Sequence, residues 1–276
     1  MEDKSKHLRN PLAEFMTKSD DVMSSPYLMM IKRYIGEAEK TDYIMPLWLP
    51  FLPAILAVVS TFLLLYTIIA ASIHKEAMGA SGAVAFVSLV AVAGSLFLLL
   101  YIASIAVGIY VLYKLITRRN DHFRRTHKLY DTIVNLLKEK EGSTAEIVEM
   151  ESIVYDMKNE ETEKNAVLWV VLTVLIGILW FYIAHFLNKD FRKHELRERR
   201  LISLINNVLR KHGAPGIVKF EEKVPDRSTL LYIVLTIITL GFFGLYWIYT
   251  LAKDPNEHFK QHRVVENQLV GFLENL

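Results

Sequence analysis

The chain has 276 residues, of which 52% are hydrophobic, and its formal net charge is +2. Several apolar runs are long enough to cross a bilayer, so this composition argues against a soluble one- or two-domain protein. The absence of cysteine excludes disulfides, thiolate metal sites and cysteine nucleophiles.

The first part of the chain predicts a polar segment followed by two membrane helices. Residues 1–44 are mostly polar, and Ser25-Pro26 is a typical start for a short amphipathic helix. Residues 45–119 are apolar apart from a short loop at 74–81, so we expect a transmembrane hairpin.

The rest of the chain alternates between polar and apolar segments. Residues 120–165 predict a soluble helical hairpin, whose second helix opens with the capping-box sequence of residues 143–146. Residues 166–212 and 229–276 each predict a membrane segment followed by an amphipathic helix, with 213–228 as the linker between them.

A short sequence occurs three times, each time after an apolar run. It pairs an asparagine with a phenylalanine three positions later, and the phenylalanines are 68 residues apart on both occasions. The residues are Asn120 and Phe123, Asn188 and Phe191, and Asn256 and Phe259. Since asparagine is a strong helix N-cap, we expect one helix to end and another to begin at each of them.

Each repeated sequence opens an amphipathic stretch. The positions 10, 11, 13 and 14 residues after each phenylalanine are apolar in all three copies, which predicts one apolar stripe on a helix. Such stripes either pack on partner helices or lie in the lipid headgroup layer.

Aromatic residues cluster near the ends of the apolar runs, where tyrosine and tryptophan favour the membrane–water boundary. The predicted interfacial residues are Trp48, Tyr110, Tyr113, Trp180, Tyr182, Tyr246, Trp247 and Tyr249.

The membrane topology has three alternatives. Four full crossings suit the lengths of the runs, and we favour them, although they place the basic segment 188–228 opposite the other polar segments. Alternatively, the third and fourth runs are re-entrant and bend back near Gly177 and near Gly241 and Gly244. Inverted repeats are the third alternative.

The fourth run carries the sequence Leu-Thr-x-x-Thr-x-Gly-x-x-Gly-x-Tyr-Trp-x-Tyr from residue 235 to 249. This pattern, followed by a polar helix, resembles an uncharacterised family of small prokaryotic membrane domains over the C-terminal fifty or so residues. The resemblance implies a membrane location and no particular activity.

Histidines are the candidate metal ligands. His258 and His262 have the i, i+4 spacing that lets two side chains bind one ion, and His122 and His127 occupy the matching part of the first copy. Asp190 stands where one of these ligands would be in the second copy, and a further ligand is not evident. We therefore expect no metal or other cofactor, with these four histidines as the alternative.

The fold class is therefore an all-α polytopic membrane protein with about four apolar membrane segments and three amphipathic helices. No catalytic motif is recognisable, so we expect a non-enzymatic, homo-oligomeric membrane scaffold or membrane-shaping protein. A passive oligomeric ion channel is the main alternative, and a metal- or haem-binding membrane protein is a more remote one.

The expected partners are anionic lipid headgroups and further copies of the chain, because the basic clusters lie beside the membrane segments. We expect neither nucleic acid nor a small-molecule substrate. The expected location is a prokaryotic cell membrane, and the low glutamine content, together with the missing cysteine, is typical of a thermophile.

Overall fold

The structure, a computed structural model, describes residues 25–74, 80–214 and 218–276, and every regular element in these ranges is helical. Predictions for residues 1–24, for most of the loop at 74–81 and for 215–217 lie outside the described residues. The helices are α1 Pro26–Gly36, α2 Ala38–Thr41, a 3-10 turn Leu49–Phe51, α3 Leu52–His74, α4 Ala80–Glu141, α5 Ala145–Glu160, α6 Ala166–Leu175, α7 Leu179–Lys211, α8 Thr229–Ile238 and α9 Phe242–Leu273.

In the part of the chain that the structure describes, two helices are long and apolar enough to cross a membrane. They correspond to Leu49–Ala70 and to the apolar part of Phe86–Glu141, and only 11% and 6% of their most apolar windows are buried inside the protein. Helices α3 and α4 pack on each other and leave most of their apolar side chains uncovered. This pattern suggests a membrane protein.

The third and fourth apolar runs are not single helices. Helix α6 ends at Leu175 and α7 begins at Leu179, whereas α8 ends at Ile238 and α9 begins at Phe242. In the second of these turns, Gly241 has a φ of +95°, a conformation that glycine adopts at little cost. The expectation of an uninterrupted spanning helix is therefore wrong for both runs, and each forms a helical hairpin.

The predicted helix breaks at the three asparagines are also wrong. Asn120 lies inside α4, Asn188 inside α7 and Asn256 inside α9, and all three helices continue straight through. Two of these asparagines bind backbone groups of other segments instead of capping their own helix.

Asn256 holds the chain just before the first apolar run. Its Nδ2 donates to the Met45 carbonyl at 2.7 Å, and its Oδ1 accepts from the Met45 amide at 3.0 Å. Asn120 holds Lys164 before the third run in the same two-bond manner, at 2.7 and 3.1 Å. These contacts satisfy backbone groups that would otherwise be buried unpaired.

A buried arginine allows α9 to continue past a proline. Pro255 has no amide hydrogen, so the carbonyl of Leu251 lacks its helical donor. Nη2 of Arg118 in α4 donates to this carbonyl, and Nη1 donates to Asn256 Oδ1 at 3.0 Å. The proline therefore does not end the helix.

The apolar stripes pack on partner helices and form the larger hydrophobic core. Helices α1, α4, α5, α7 and α9 contribute to it, and Ile133, Ile205 and Leu269 are among its completely buried members. Helix α5 begins at the predicted capping sequence, where the Thr144 side chain accepts from the Ile147 amide. The candidate site lies between this core and a second hydrophobic core at the apolar helices.

Candidate metal centre

The three phenylalanines of the repeated sequence meet inside the bundle. The ring centroids of Phe123 and Phe191 are 5.3 Å apart, and those of Phe191 and Phe259 are 5.8 Å apart. All three side chains are buried, and together with Val224 they form a small separate core. Helices α4, α7 and α9 are thereby fixed side by side at this level.

A group of four histidines and one glutamate lies next to these phenylalanines. Each residue offers one ligand atom, and these atoms all lie within 4.8 Å of one another. All five residues have no exposed surface. They are His122 from α4, His194 and Glu198 from α7, and His258 and His262 from α9. We call this group the central cluster.

Helical spacing places these side chains on one line of each helix. His194 and Glu198 are four residues apart, as are His258 and His262, and residues at this spacing lie one turn apart on the same face. His122 directly precedes Phe123, which fixes it at the same level of the bundle. Three separate helices therefore supply the cluster.

The inner nitrogen atoms converge. The Nε2 atoms of His122 and His258 are 3.2 Å apart. Glu198 lies among three of the rings, with Oε2 2.8 Å from His262 Nε2 and 3.3 Å from His258 Nε2, and with Oε1 2.9 Å from His194 Nε2. Ligands of a tetrahedral metal with bonds of 2.0–2.1 Å are about 3.3 Å apart, so the spacing of His122 and His258 suits two ligands of one ion.

Each of the four imidazoles has a carboxylate at its outer nitrogen. The Nδ1–oxygen distances are 3.0 Å for His122 and Asp42, 2.7 Å for His194 and Glu161, 3.2 Å for His258 and Glu195, and 3.1 Å for His262 and Glu266. A carboxylate at Nδ1 fixes the tautomer and turns the Nε2 lone pair toward a metal. The same arrangement at all four rings makes the cluster suited to bind a cation.

Burial and the neighbouring carboxylates shift the pKa values of the cluster histidines. Burial by itself lowers the pKa of His194, but the carboxylates of Glu198 and Glu161 outweigh it and raise the pKa to about 9. At His262, burial also lowers the pKa of the imidazole, but the carboxylates of Glu198 and Glu266 outweigh this effect and raise the pKa to about 10. Burial lowers the pKa of His258. Without a metal, His194 and His262 are therefore positively charged at neutral pH and pair with Glu198. Two of the outer carboxylates, Asp42 and Glu266, also pair with the buried Arg125, each at 2.7 Å.

Several buried polar atoms at the cluster have no hydrogen-bond partner among the described residues. They are His194 Nε2, Glu198 Oε1, Glu266 Oε2 and Tyr130 Oη. His194 Nε2 and Glu198 Oε1 are close enough for an ion pair, yet they lack hydrogen-bonding geometry. Because an unsatisfied buried polar atom is costly, these atoms mark a place for a ligand.

The donor set favours particular metals. Imidazole nitrogens suit zinc, copper, iron and nickel, whereas sites for calcium or magnesium are built from oxygen ligands. Four imidazoles with a single carboxylate therefore fit a divalent transition-metal ion.

The four histidines considered from the sequence have different positions. His122, His258 and His262 belong to the central cluster, whereas His127 lies outside it, with Nε2 2.8 Å from Glu161 Oε2. The structure also explains why the second copy has Asp190 where the other copies have a histidine. Asp190 pairs with Arg119 at 2.9 Å, and His194 supplies the imidazole from one turn further along.

The predicted interfacial aromatic residues are mostly accessible at the protein surface. Trp247 differs, because it is completely buried and packs against Trp180, with ring centroids 5.1 Å apart. Trp180 and Tyr249 are partly buried. The residues with exposed side chains are Trp48, Tyr110, Tyr113, Tyr182 and Tyr246.

Sequence reasoning missed Glu198 and the outer carboxylates. Glu198 had a recognisable signal, since its spacing from His194 equals that of His258 and His262. Asp42 and Glu161 had none, because they come from connecting segments that only the tertiary fold brings to the cluster.

These features define an all-α protein in which a long-helix bundle encloses a buried histidine–carboxylate cluster beside apolar helices. Residues 227–274 match the model of a domain family of unknown function, DUF4234. The match confirms the C-terminal resemblance to an uncharacterised family, and it covers α8 and α9 with His258 and His262. No curated protein and no solved structure matches the chain.

Proposed function

We propose that this protein is a membrane metalloprotein that binds a divalent transition-metal ion in the central cluster. The observation that carries the proposal is the convergence of the Nε2 atoms of His194, His258 and His262 on Glu198, with a carboxylate at every Nδ1. The Nε2 atom of His122 joins this group at 3.2 Å from that of His258. A buried group of this kind without a cation would leave unpaired polar atoms inside the protein.

The proposed role is binding rather than catalysis. Catalytic metal sites keep a coordination position for water or substrate, whereas structural sites are closed by protein ligands. The central cluster offers five protein ligands, and all of them are buried. This supports the expectation that the chain is not an enzyme.

A single ion suits the cluster better than haem does. A haem needs a flat space between its two axial ligands, and the five ligand atoms of the cluster lie within 4.8 Å of one another. The neighbouring space holds the rings of Phe123, Phe191 and Phe259. This packing supports the metal alternative over the haem alternative.

The site also supports a membrane topology with two re-entrant hairpins. Because α4, α7 and α9 all supply ligands, the segments 117–165, 188–228 and 253–276 lie on one side of the bilayer in this proposal. The third and fourth runs then return to the side from which they entered. The ten residues of α6 or α8 rise about 15 Å, half of a 30 Å hydrocarbon core.

The same arrangement indicates the side of the membrane. With two crossings and two re-entrant hairpins, the lysines and arginines of the described residues all lie on the side of the metal centre in this proposal, and the end of α3 at His74 lies opposite. The positive-inside tendency then places the metal centre on the cytoplasmic side of a cell membrane.

The proposed partners are further copies of the chain and anionic lipid headgroups. The hairpin tips expose large apolar side chains, among them Leu240 at 90% and Phe242 at 76%. Re-entrant backbone at membrane depth is stable when protein covers it, so a second copy of the chain is a suitable neighbour. A membrane scaffold would use the same surfaces, and the metal would then stabilise its bundle.

Metal analysis of the purified chain tests the proposal. The full-length protein is purified in detergent, loaded with Zn²⁺ or Co²⁺, freed of excess metal and analysed by mass spectrometry. We expect one ion per chain in the wild type and a loss of retained metal in His262→Ala. His212→Ala, which changes an exposed histidine at the end of α7, is the matched control. Wild-type protein without retained metal would overturn the proposal.

A further inference from the structure

The described residues leave the central cluster no direct access to solvent. Its four histidines and Glu198 are completely buried, and Asp42, Glu195 and Glu266 behind them are buried as well. An ion from solution therefore has to pass between the helices of the bundle. Histidine and carboxylate side chains that continue from the cluster to the surface would mark its path.

One such line of side chains leads outward from His194. Glu161 Oε2 lies 2.7 Å from His194 Nδ1 and 2.8 Å from His127 Nε2, and the ligand atoms of these three residues lie within 4.8 Å of one another. Arg197 pairs with the other oxygen of Glu161 at 2.8 Å, which leaves Oε2 to the two imidazoles.

The outer end of this line opens on a cavity. His127 and Glu161 border a space of about 300 Å³ that also contacts Asp131, Lys158 and Glu163. Lys158 pairs with Asp131 at 2.7 Å, and Arg124 at the rim pairs with Glu163 at 3.1 Å. Lys128 is the third cation of the lining, which thus holds three carboxylates and three cations besides His127. The side chain of His127 is 13% exposed, in contrast to the central histidines.

We propose that His127 and Glu161 form an uptake site that receives the divalent transition-metal ion from solution before it reaches the central cluster. His194 joins the two sites, because its Nδ1 faces Glu161 and its Nε2 faces Glu198. This inference rests on the proposed function and concerns how the same ion arrives. The uptake site holds the ion in transit, so it adds nothing to the final stoichiometry.

Loading kinetics test the uptake site. Metal-free full-length protein in detergent is mixed with Co²⁺, and the visible absorption of the coordinated ion is followed with time. In His127→Ala we expect loading to slow by about tenfold, the lower end of what the loss of a metal-site partner costs. The final spectrum and the final occupancy remain those of the wild type.

Two further variants make the result specific. His127→Gln keeps a hydrogen-bond donor for Glu161 but lacks the imidazole, so it should load as slowly as His127→Ala even if the alanine variant folds poorly. His212→Ala should load at the wild-type rate. An unchanged loading rate in His127→Gln would overturn the inference, and so would a lower final occupancy, which would indicate a resident second ion. Failure of the wild type to take up Co²⁺ would instead overturn the proposed function, and the uptake site with it.

Discussion

The Nε2 atoms of His122 and His258 face each other at 3.2 Å in the interior of the bundle, although 136 positions separate them in the sequence. Two neutral imidazoles can share one hydrogen bond at this distance, whereas a metal ion would use both lone pairs. Since Asp42 and Glu195 hold the opposite nitrogens, both rings are oriented for the second arrangement.

Removal of an inner ligand should abolish tight metal binding. Glu198→Gln keeps the volume of the side chain but lacks the negative charge that lies next to His194 and His262. We expect this variant to lose Zn²⁺ to a chromophoric chelator from which the wild type retains it. Glu149→Gln, at an exposed position that pairs with Arg200, is the control and should bind Zn²⁺ as the wild type does.

Removal of an outer carboxylate should weaken binding without abolishing it. Asp42→Asn retains an oxygen near Nδ1 of His122 but lacks the charge, and loss of such a partner costs about 10- to 100-fold in metal affinity. The same chelator competition measures this effect. Wild-type affinity in Asp42→Asn would show that the outer carboxylates have no role in metal binding.

The stability of the metal-free protein should fall as the pH rises above neutral. The folded-state pKa values of His194 and His262 are about 9 and about 10, above the ordinary value of 6.5. Their ion pairs with carboxylates therefore stabilise the fold fully below pH 6.5, and this contribution is lost as the pH rises through 9 to 10. Thermal unfolding of metal-free protein between pH 7 and pH 10 should show a falling Tm.

The metal-loaded protein provides the comparison for that experiment. Bound metal replaces the protons on both imidazoles, so its Tm should change less over the same pH interval. A metal-free protein that becomes more stable from pH 7 to pH 10 would contradict the assigned ionisation states.

The small core formed by Phe123, Phe191 and Phe259 should contribute strongly to stability. Phe191→Ala removes a buried ring that contacts Phe123 and Phe259, and such truncations cost about 3–5 kcal/mol. Chemical unfolding in detergent, followed by circular dichroism, measures the loss. Tyr155→Ala, at an exposed position of α5, is the aromatic control, with an expected change below about 0.5 kcal/mol.

The topology can be tested with single cysteines, because the chain has none of its own. Cysteines that replace the exposed residues Glu163, Glu221 and Lys260 should all react with a membrane-impermeant maleimide from the cytoplasmic side. A cysteine at Ser72, near the far end of α3, should react from the opposite side. Labelling of the Glu221 position from the side of Ser72 would contradict the re-entrant hairpins.

The sequence predicted the helical class and the apolar stripes because both depend on local periodicity. It failed at the asparagines, since the preference of Asn256 for a helix cap is local, whereas its bonds to Met45 depend on tertiary packing. The sequence predicted the interruptions of the third and fourth apolar runs only in the re-entrant topology, which was an alternative to four full crossings. Glycine permits a turn such as the one at Gly241, but its presence does not require one.

The candidate metal centre was less accessible to sequence reasoning than the fold. The i, i+4 spacing of His258 and His262 is visible, but many surface helices carry such pairs. What makes the group suited to a metal is the approach of His122 and Glu198 from other helices, together with carboxylates such as Asp42 from a connecting segment. These contacts depend on helix packing over long sequence separations.

X-ray absorption spectroscopy of the cobalt- or zinc-loaded full-length protein tests the metal centre most directly. The central cluster predicts a first shell of nitrogen and oxygen atoms at about 2.0–2.2 Å, with the multiple-scattering signature of several imidazole rings. That signature should weaken in His258→Ala. A metal surrounded mainly by water oxygens, with a spectrum that does not change in His258→Ala, would contradict a metal site in the central cluster.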